Sequence, residues 1–265
     1  MSRGIYTATS GLLTLIRDIN VRSNNMANVG TAGFKEDRLV TTTFAEAIAV
    51  RQDIRTIGEK VEIGNNVRGK RAVDIKTNFN QGSLDFTSRS LDFAIAGDGF
   101  FTIVYTDENE EEAFYYTRNG QFQVDVDGYL IFDKEGHYVA DDGGSPILVE
   151  TSNFVVNEYG IVFDADDNEI AALGIFVPEN PDLLIKKDDE VFSPPWDLDN
   201  EEPYELEELE FTGIIYQGYI ERSNVDMASQ MTALIANSRS YQSMTQIIKA
   251  IDGIKNKSAN ELARM

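Results

Sequence analysis

The spacing of apolar residues in this 265-residue sequence is helical at both ends and strand-like in the middle. Near each terminus apolar residues recur in steps of three and four, the spacing of a coiled-coil seam. Between the termini apolar and polar residues alternate, and turn dipeptides such as Asn119-Gly120 and Asp127-Gly128 separate the alternating runs. The change of period predicts an α+β fold, in which terminal helices that can form coiled coils flank a central antiparallel all-β domain.

The two terminal helices are predicted over residues 3–28 and 225–258. Their apolar stripes consist of Ile5, Ala8, Leu12, Leu15, Ile19 and Met26 in the first helix and Met227, Met231, Leu234, Tyr241, Met244, Ile248, Ile251 and Ile254 in the second. Such a stripe has to pack against another helix. The partner can be the other terminus of the same chain, a neighbouring copy, or both, and the spacing alone leaves these alternatives open.

The same pattern divides the chain into three regions. Residues 1–69 hold the N-terminal helix and an extended arm, residues 70–215 form the central β domain, and residues 216–265 hold the C-terminal helix. We interpret the two terminal regions as assembly regions. Gly4 and Gly11 weaken the first helix and polar residues interrupt both stripes, so we expect both helices to be poorly ordered in a free subunit, where their stripes lack a mate.

Charge is distributed unevenly along the chain, whose net charge is −22. Residues 1–60 and 218–265 each carry a net charge of +2, and residues 61–217 carry −26. Because an excess of carboxylates repels phosphate backbones, the composition disfavours nucleic-acid binding. Near-neutral ends can pack densely against copies of themselves, whereas an acidic centre keeps its surface in water.

Composition also limits the chemistry that the chain can support. The sequence has no cysteine, which excludes disulfides, zinc–thiolate sites and thiol nucleophiles, and His137 is its one histidine. No apolar run approaches the roughly 20 residues that span a bilayer. The N-terminus lacks the apolar stretch of a cleaved signal peptide, so no cleavage is expected there.

Short motifs that could carry a site match only in part. Residues 64–70 have the glycine and lysine spacing of a phosphate-binding loop, but Arg71 stands where a magnesium-binding hydroxyl is required, and an extended segment follows. Residues 164–168 resemble the start of a calcium loop without its glycine and its final glutamate, and we interpret them as a hairpin turn. The acidic stretches 107–112 and 188–210 are interpreted as solvated loops, with a docking surface for a basic partner as the alternative.

Three segments, in order along the chain, resemble the signatures of one protein family. They contain Asn24-Asn25-Met26-Ala27-Asn28 with Thr31-Ala32-Gly33-Phe34-Lys35, then Leu91-Asp92-Phe93-Ala94-Ile95 with Gly99-Phe100-Phe101, and finally Tyr216-Gln217-Gly218-Tyr219 with Asn224-Val225-Asp226. On these motifs the chain resembles the bacterial flagellar axial proteins of the rod and hook. Its length and its third motif are most like those of the rod proteins.

The resemblance implies a non-enzymatic structural subunit of the flagellar basal-body rod, proximal or distal. Such a subunit is expected to polymerise into a helical tube through its terminal helices, with its acidic β domain facing outward. No cofactor, metal or small-molecule substrate is expected. The expected partners are copies of the same chain, other rod and hook proteins, and the flagellar type III apparatus, which would export the chain without a cleaved signal peptide.

The subunit interface is expected to combine the apolar stripes with the asparagine-rich motif. Its predicted residues are Ile5, Leu12, Leu15, Ile19, Asn24, Asn25, Met26, Asn28, Gly33, Phe34, Met227, Met231, Leu234, Tyr241, Ile248 and Ile251. Three other functions are kept as alternatives: a hook-type axial protein, a calcium-dependent surface adhesin, and a hydrolase that acts through paired carboxylates in the β domain.

Overall fold

The computed structural model describes residues 2–43, 47–52, 60–66, 70–106, 112–132, 137–149, 154–164, 166–197, 202–203 and 206–262. Its two α-helices lie at the termini, as the apolar spacing predicts: α1 is Ser2–Ala27 and α2 is Met227–Leu262. Neither helix is long and apolar enough to cross a membrane. A single turn of 3₁₀-helix, Pro181–Leu183, follows the N-cap Asn180.

The strands between the helices are short, and most of them follow the turn signals of the sequence. In chain order they are Glu36–Thr43 (β1), Ala47–Gln52 (β2), Lys60–Asn66 (β3), Lys70–Asn78 (β4), Leu84–Phe86 (β5), Phe93–Ala96 (β6), Phe100–Thr106 (β7), Glu112–Thr117 (β8), Gln123–Val124 (β9), Leu130–Ile131 (β10), Tyr138–Val139 (β11), Val155–Val156 (β12), Ile161–Phe163 (β13), Glu169–Ala172 (β14), Ile175–Phe176 (β15), Ile185–Lys186 (β16), Val191–Ser193 (β17), Trp196–Asp197 (β18), Glu202–Pro203 (β19), Ile214–Gln217 (β20) and Tyr219–Glu221 (β21).

The chain divides into two compact units. The helical unit combines Met1–Met26, Asp37–Lys76 and Asp226–Met265, and the β unit combines Ala27–Glu36 with Thr77–Val225. These units differ from the predicted regions at three segments, which are residues 27–36, 70–76 and 216–225. Residues 27–36 and 216–225 belong to the β unit, because the first segment is buried there and the second contains strands that pair with β5 and β6.

In the helical unit, β1 pairs with β4, and β2 pairs antiparallel with β3. The strands β3 and β4 border residues 67–69, which lie outside the described residues. Strand β4 begins at Lys70, whereas a phosphate-binding loop would continue into a helix at this point. This agrees with the rejection of nucleotide binding at residues 64–70.

The β unit is built from antiparallel pairs, which confirms the predicted class of the central domain. Its main sheet has the order β16-β17-β8-β7-β11-β10-β9, and β15 also pairs with β7. Smaller sheets are formed by β12-β13-β14, β20-β6, β21-β5 and β18-β19. The core between them is rich in phenylalanine, with Phe93, Phe101 and Phe122 fully buried and in ring contact at centroid distances of 5.2–5.7 Å.

Exposure in the β unit departs from the local sequence pattern at two places. Strand β6 is buried on both faces, since Ala94 as well as Phe93 and Ile95 is inaccessible to solvent. The stretch 188–210 is not simply a solvated loop, because β17 lies within it and Phe192 is fully buried against Phe100. Of the other acidic stretch, residues 107–111 lie outside the described residues, and the strands on either side of them, β7 and β8, form an antiparallel pair.

The calcium-like motif forms a hairpin turn between β13 and β14, as predicted. The amide of Asp164 donates to the Asn168 carbonyl (2.9 Å), and the amide of Asp167 donates to the Asp164 carbonyl (3.0 Å). Asp167 has a φ of 60°, a left-handed conformation that aspartate tolerates in turns. In the part of the chain that the structure describes, no three carboxylates or imidazoles cluster closely enough to hold a metal ion.

Candidate functional site

Helices α1 and α2 contact each other at three levels. A β-carbon added at Gly11 would lie 3.0 Å from Met244 Cε. Asn237 Nδ2 donates to Asp18 Oδ2 (2.6 Å), and Arg22 Nη1 donates to Gln230 Oε1 (3.2 Å). Because positions rise along α1 as they fall along α2, the two helices run antiparallel.

The two terminal helices therefore contact each other within the chain, contrary to the expectation that they lack a mate there. The contacting face of α1 is also offset from the predicted stripe. The contacts use Gly11, Asp18 and Arg22, which lie about 100° around the helix from Leu12 and Ile19. Leu12 and Ile19 are half-buried beside this seam.

On α2 the half-buried residues follow the seam at heptad spacing. They include Leu234, Tyr241, Met244, Ile248 and Ile251, in register with Gln230 and Asn237. One face of α2 is therefore occupied by pairing within the chain, and it contains most of the stripe predicted from the sequence.

Other apolar residues of α2 remain exposed on both sides of this seam. Met231 and Ile235 are 44% and 53% exposed on one side, and Ile247 and Ile254 are 50% and 57% exposed on the other. We call these four residues the α2 flanks. On α1, Leu13 is also 57% exposed. Isolated exposed apolar residues are common, but two rows on opposite sides of one seam leave α2 with surface for further helices.

The end of α1 is held by Asn25, which is fully buried. Its Nδ2 donates to the Asp37 carbonyl (2.8 Å), and its Oδ1 accepts from the Asp37 amide (2.9 Å). The Asn25 side chain thus pairs with both backbone groups of Asp37 in β1, as the backbone of a neighbouring strand would.

Replacing Asn25 by alanine is expected to lower the free energy of unfolding by about 2 kcal/mol, because two hydrogen bonds to part-buried backbone groups are lost. Hydrogen exchange checks the cause directly, since the Asp37 amide should exchange faster in the variant. The control is Ser23→Ala at an exposed position two residues earlier, for which a change within about 0.5 kcal/mol is expected. Equal effects of the two substitutions would contradict this role of Asn25.

After α1 the chain turns and enters the β unit. Asn28 Oδ1 accepts from the Thr31 hydroxyl (3.2 Å), and the Gly33 amide donates to the Glu221 carbonyl (2.8 Å). Phe34 is fully buried, and Lys186 Nζ lies 3.8 Å from the centroid of its ring. The motif that follows α1 is therefore an internal part of the β unit.

Three buried charges meet beside this segment. Lys35 Nζ donates to Glu221 Oε1 (2.6 Å), and Arg118 Nη1 donates to Glu221 Oε2 (3.2 Å). The side chains of Lys35, Glu221 and Arg118 are 1%, 1% and 4% exposed. We call these three residues the buried charge triad. It holds two cations and one anion, so each cation depends on Glu221.

The surroundings of the triad supply further hydrogen bonds. Lys35 Nζ also donates to the Asn80 carbonyl (3.0 Å), Arg118 Nη2 donates to the Gly97 carbonyl (2.9 Å), and the Gly82 amide donates to Glu221 Oε1 (2.7 Å). Burial lowers the pKa of Lys35 and of Arg118, and the adjacent Glu221 carboxylate partly offsets this effect. The triad thus joins the segment after α1 to β21, which leads towards α2.

Asn224, which lies just before α2, forms three hydrogen bonds that connect segments of the same region. Its Oδ1 accepts from the Glu36 amide (2.8 Å), and its Nδ2 donates to the carbonyls of Asn78 (2.7 Å) and Asn80 (2.8 Å). Asp226 then caps α2 by accepting from the Ala228 amide (3.1 Å).

The predicted interface residues thus fall into distinct environments. Those buried inside the chain are Asn25, Gly33 and Phe34; those half-buried are Leu12, Leu15, Ile19, Met26, Asn28, Leu234, Tyr241, Ile248 and Ile251; those exposed are Asn24, Met227 and Met231. The side chain of Ile5 lies outside the described ones. Sequence reasoning missed Ile235 and Ile247 as exposed residues, and it missed the triad partners Arg118 and Glu221.

Family models match three parts of the chain. Residues 5–35 match the model for flagella basal body rod protein, and residues 94–183 match the model for the D1 domain of flagellar hook protein FlgE/F/G. Residues 216–262 match the model for the C-terminal part of flagellar basal body rod FlgEFG protein. Each matched part contains one member of the buried charge triad.

Similar proteins match over nearly the whole chain. The flagellar basal-body rod protein FlgG of Bacillus subtilis is 29% identical, over 96% of this chain and 97% of its own length. The flagellar basal-body rod protein FlgF of Caulobacter vibrioides is 28% identical, over 94% and 93%. The flagellar hook-basal body complex protein FlhO of Bacillus subtilis is 26% identical over the full length of both chains.

Proposed function

Because this chain belongs to the family of flagellar rod and hook proteins, we propose that it is a structural subunit of the basal-body rod. In this proposal subunits polymerise into a helical tube through their terminal helices. The observation that carries the proposal is the exposure of the α2 flanks on both sides of a seam that is already paired. A helix with apolar rows on two further sides can contact two neighbours at once.

Contacts through the two α2 flanks favour assembly into a helical tube. The two α2 flanks differ in sequence, so one flank of a subunit would contact a different surface of its neighbour. Such heterologous contacts continue into a helical array unless the rotation between copies closes a ring. Burying the exposed half of an isoleucine or methionine side chain contributes about 1 kcal/mol, so the flanks of many copies would add up to a stable polymer.

The distribution of charge supports the orientation of the subunit in the tube. Residues 61–217 carry −26, whereas the two ends are near neutral. We place the β unit on the outside, because packing such acidic regions against one another in the interior would cost electrostatic free energy. Near-neutral helices would then form the inner layer.

The names of the relatives support the location and the partners of the chain. Several are called basal-body rod proteins, and others are called hook-basal body complex proteins. We therefore place this chain in the flagellar basal body, in contact with copies of itself and with other rod and hook proteins. Export through the flagellar type III apparatus, without a cleaved signal peptide, is part of the same proposal.

A hook-type axial protein is the second candidate. The match of residues 94–183 to the D1 domain of FlgE/F/G, a model named for a hook protein, is the observation that favours it. Electron micrographs of the assembled tubes, compared in diameter and length with purified rods and hooks, distinguish the two candidates.

Charges placed on one α2 flank are expected to abolish polymerisation. In the variant Ile247→Asp with Ile254→Asp, two carboxylates replace side chains that would be buried between subunits, and buried unpaired charges are strongly unfavourable. Concentrated wild-type protein is expected to form tubes in electron micrographs and to sediment at high speed. The variant should stay in the supernatant, with its helix content unchanged.

The matched control adds the same two charges to the face of α2 that points away from the seam. Gln246→Asp with Ala250→Asp changes two exposed residues of the same helix that lie opposite the seam, and assembly should be retained. Assembly of the flank variant at the wild-type concentration would refute the role of the flanks. Failure of the wild-type protein to assemble at any concentration would refute self-polymerisation itself.

A further inference from the structure

The contacts between α1 and α2 include a polar cluster inside a mostly apolar seam. Within α1, Arg22 Nε lies 3.2 Å from Asp18 Oδ2. Across the helices, Arg22 binds Gln230 and Asp18 binds Asn237. The four side chains form an unbroken chain of hydrogen bonds from Gln230 through Arg22 and Asp18 to Asn237. We call them the seam cluster.

The seam cluster is removed from much of the surrounding water. Gln230 is only 3% exposed, and the side chains of Asp18 and Arg22 are 22% and 29% exposed. Polar groups at such positions cost free energy unless their partners are in place. The cluster therefore favours one alignment of the two helices by penalising the others.

The effect of sliding α2 along α1 by one heptad shows how strongly the cluster selects the observed alignment. Moving α2 in one direction places Met244 opposite Asp18, which then loses its amide donor. Moving α2 in the other direction places Arg22 opposite a position that precedes Met227, the first residue of α2. Arg22 then loses its contact with Gln230. The apolar seam residues give little discrimination of this kind, because leucine, methionine and isoleucine can replace one another as neighbours.

We propose that the seam cluster sets the register in which α1 and α2 pair. The register decides which residues of α2 lie in the seam and which remain exposed beside it. The cluster thus fixes where the α2 flanks lie with respect to α1. This inference concerns pairing within one chain, and it would hold whether or not the chain polymerises.

The absence of cysteine from the sequence allows a direct test by disulfide cross-linking in the full-length chain. Gly11→Cys with Met244→Cys reports the observed register, because a β-carbon at Gly11 would lie next to the end of the Met244 side chain. Gly11→Cys with Ile251→Cys reports a shift of one heptad. The ratio of the two cross-linking yields under mild oxidation, in dilute protein, measures the preference for the observed register.

Replacing the whole cluster by leucine should remove this preference. In the background Asp18→Leu, Arg22→Leu, Gln230→Leu and Asn237→Leu, we expect the ratio to fall by about tenfold, although the helix pair becomes no less stable. The two half-cluster variants, Asp18→Leu with Asn237→Leu and Arg22→Leu with Gln230→Leu, should each give a smaller fall. They keep the test decisive if the fourfold variant does not fold.

The matched control is Arg17→Leu with Arg239→Leu, which adds leucine to exposed positions of the same helices. Its ratio should equal that of the unsubstituted background. Half-cluster variants that fold and keep the full preference would overturn the proposal. So would a loss of preference in the control, which would mean that any added leucine loosens the pairing.

Discussion

Replacing Glu221 by glutamine is expected to lower the free energy of unfolding by about 3–5 kcal/mol. Glutamine keeps the size of the side chain but removes the one negative charge of the buried charge triad. Lys35 and Arg118 would then face each other in a region where their side chains are 1% and 4% exposed. Urea denaturation followed by circular dichroism measures the loss.

The exposed ion pair between Arg222 and Asp85 provides the control. Its Nε–Oδ2 distance is 3.4 Å, but the two side chains are 58% and 49% exposed. Asp85→Asn removes the same kind of charge in water and should change stability by less than about 1 kcal/mol. Similar losses in Glu221→Gln and Asp85→Asn would contradict the dependence of the triad on burial.

The effect of Glu221→Gln should also depend on pH. Burial lowers the pKa of Lys35 in the folded state, and the Glu221 carboxylate raises it, so removing Glu221 lowers it further. The unfolded chain then binds more protons than the folded one over a range that ends near the ordinary lysine pKa of about 10.4. Stability of the variant should rise with pH through that range and approach the wild-type value. A loss of stability that is independent of pH would show that the altered shape of the side chain at position 221, and not its lost charge, causes the destabilisation.

Replacing Gly33 by alanine is expected to cost about 2–5 kcal/mol. Gly33 has a φ of 71°, and an added β-carbon would lie 2.3 Å from the backbone nitrogen of Asn119. Neither the conformation nor the backbone of Asn119 can adjust cheaply, because the segment is buried in the β unit. Thermal unfolding should show a clear loss, with destabilisation of the β unit.

Gly30 gives a matched comparison three residues earlier. A β-carbon there would meet nothing within 4 Å, and its φ lies outside the left-handed range. Gly30→Ala should therefore be neutral or stabilise the chain by up to about 1 kcal/mol, through the unfolded state. Destabilisation by Gly30→Ala as large as that by Gly33→Ala would show that the segment rejects any side chain, whatever its contacts.

The apolar spacing was sufficient to predict the class of the fold and both helices. The predicted ranges, 3–28 and 225–258, differ from the observed Ser2–Ala27 and Met227–Leu262 by a few residues at each end. The antiparallel β domain followed from alternation and turn dipeptides. These features are local, so the sequence displays them directly.

Features that depend on long-range pairing could not be predicted in the same way. The seam on α1 uses Asp18 and Arg22, whose polarity argues against a seam position until Gln230 and Asn237 are known to face them. Phe192 was missed because carboxylates dominate its neighbourhood in the sequence. In both cases, local composition gave the wrong environment for individual residues.

The buried charge triad gave a weak signal in the sequence. Lys35 follows a glycine and a phenylalanine, and Glu221 follows a tyrosine and an isoleucine, so both charges stand beside apolar residues. Such positions can mark buried ion pairs, but nothing local shows which charges meet across 186 residues. Sequence reasoning therefore identified the segment around Gly33 and Phe34 without its partners.

Asn224 has a mechanical consequence for any load on the chain. Its side chain joins the backbone of Glu36 to that of Asn78 and Asn80, next to three of the places where the chain passes from one unit to the other. A pulling force on one of these segments is therefore shared with the other two through hydrogen bonds that must break together. Several bonds loaded in parallel resist rupture better than the same bonds loaded one after another.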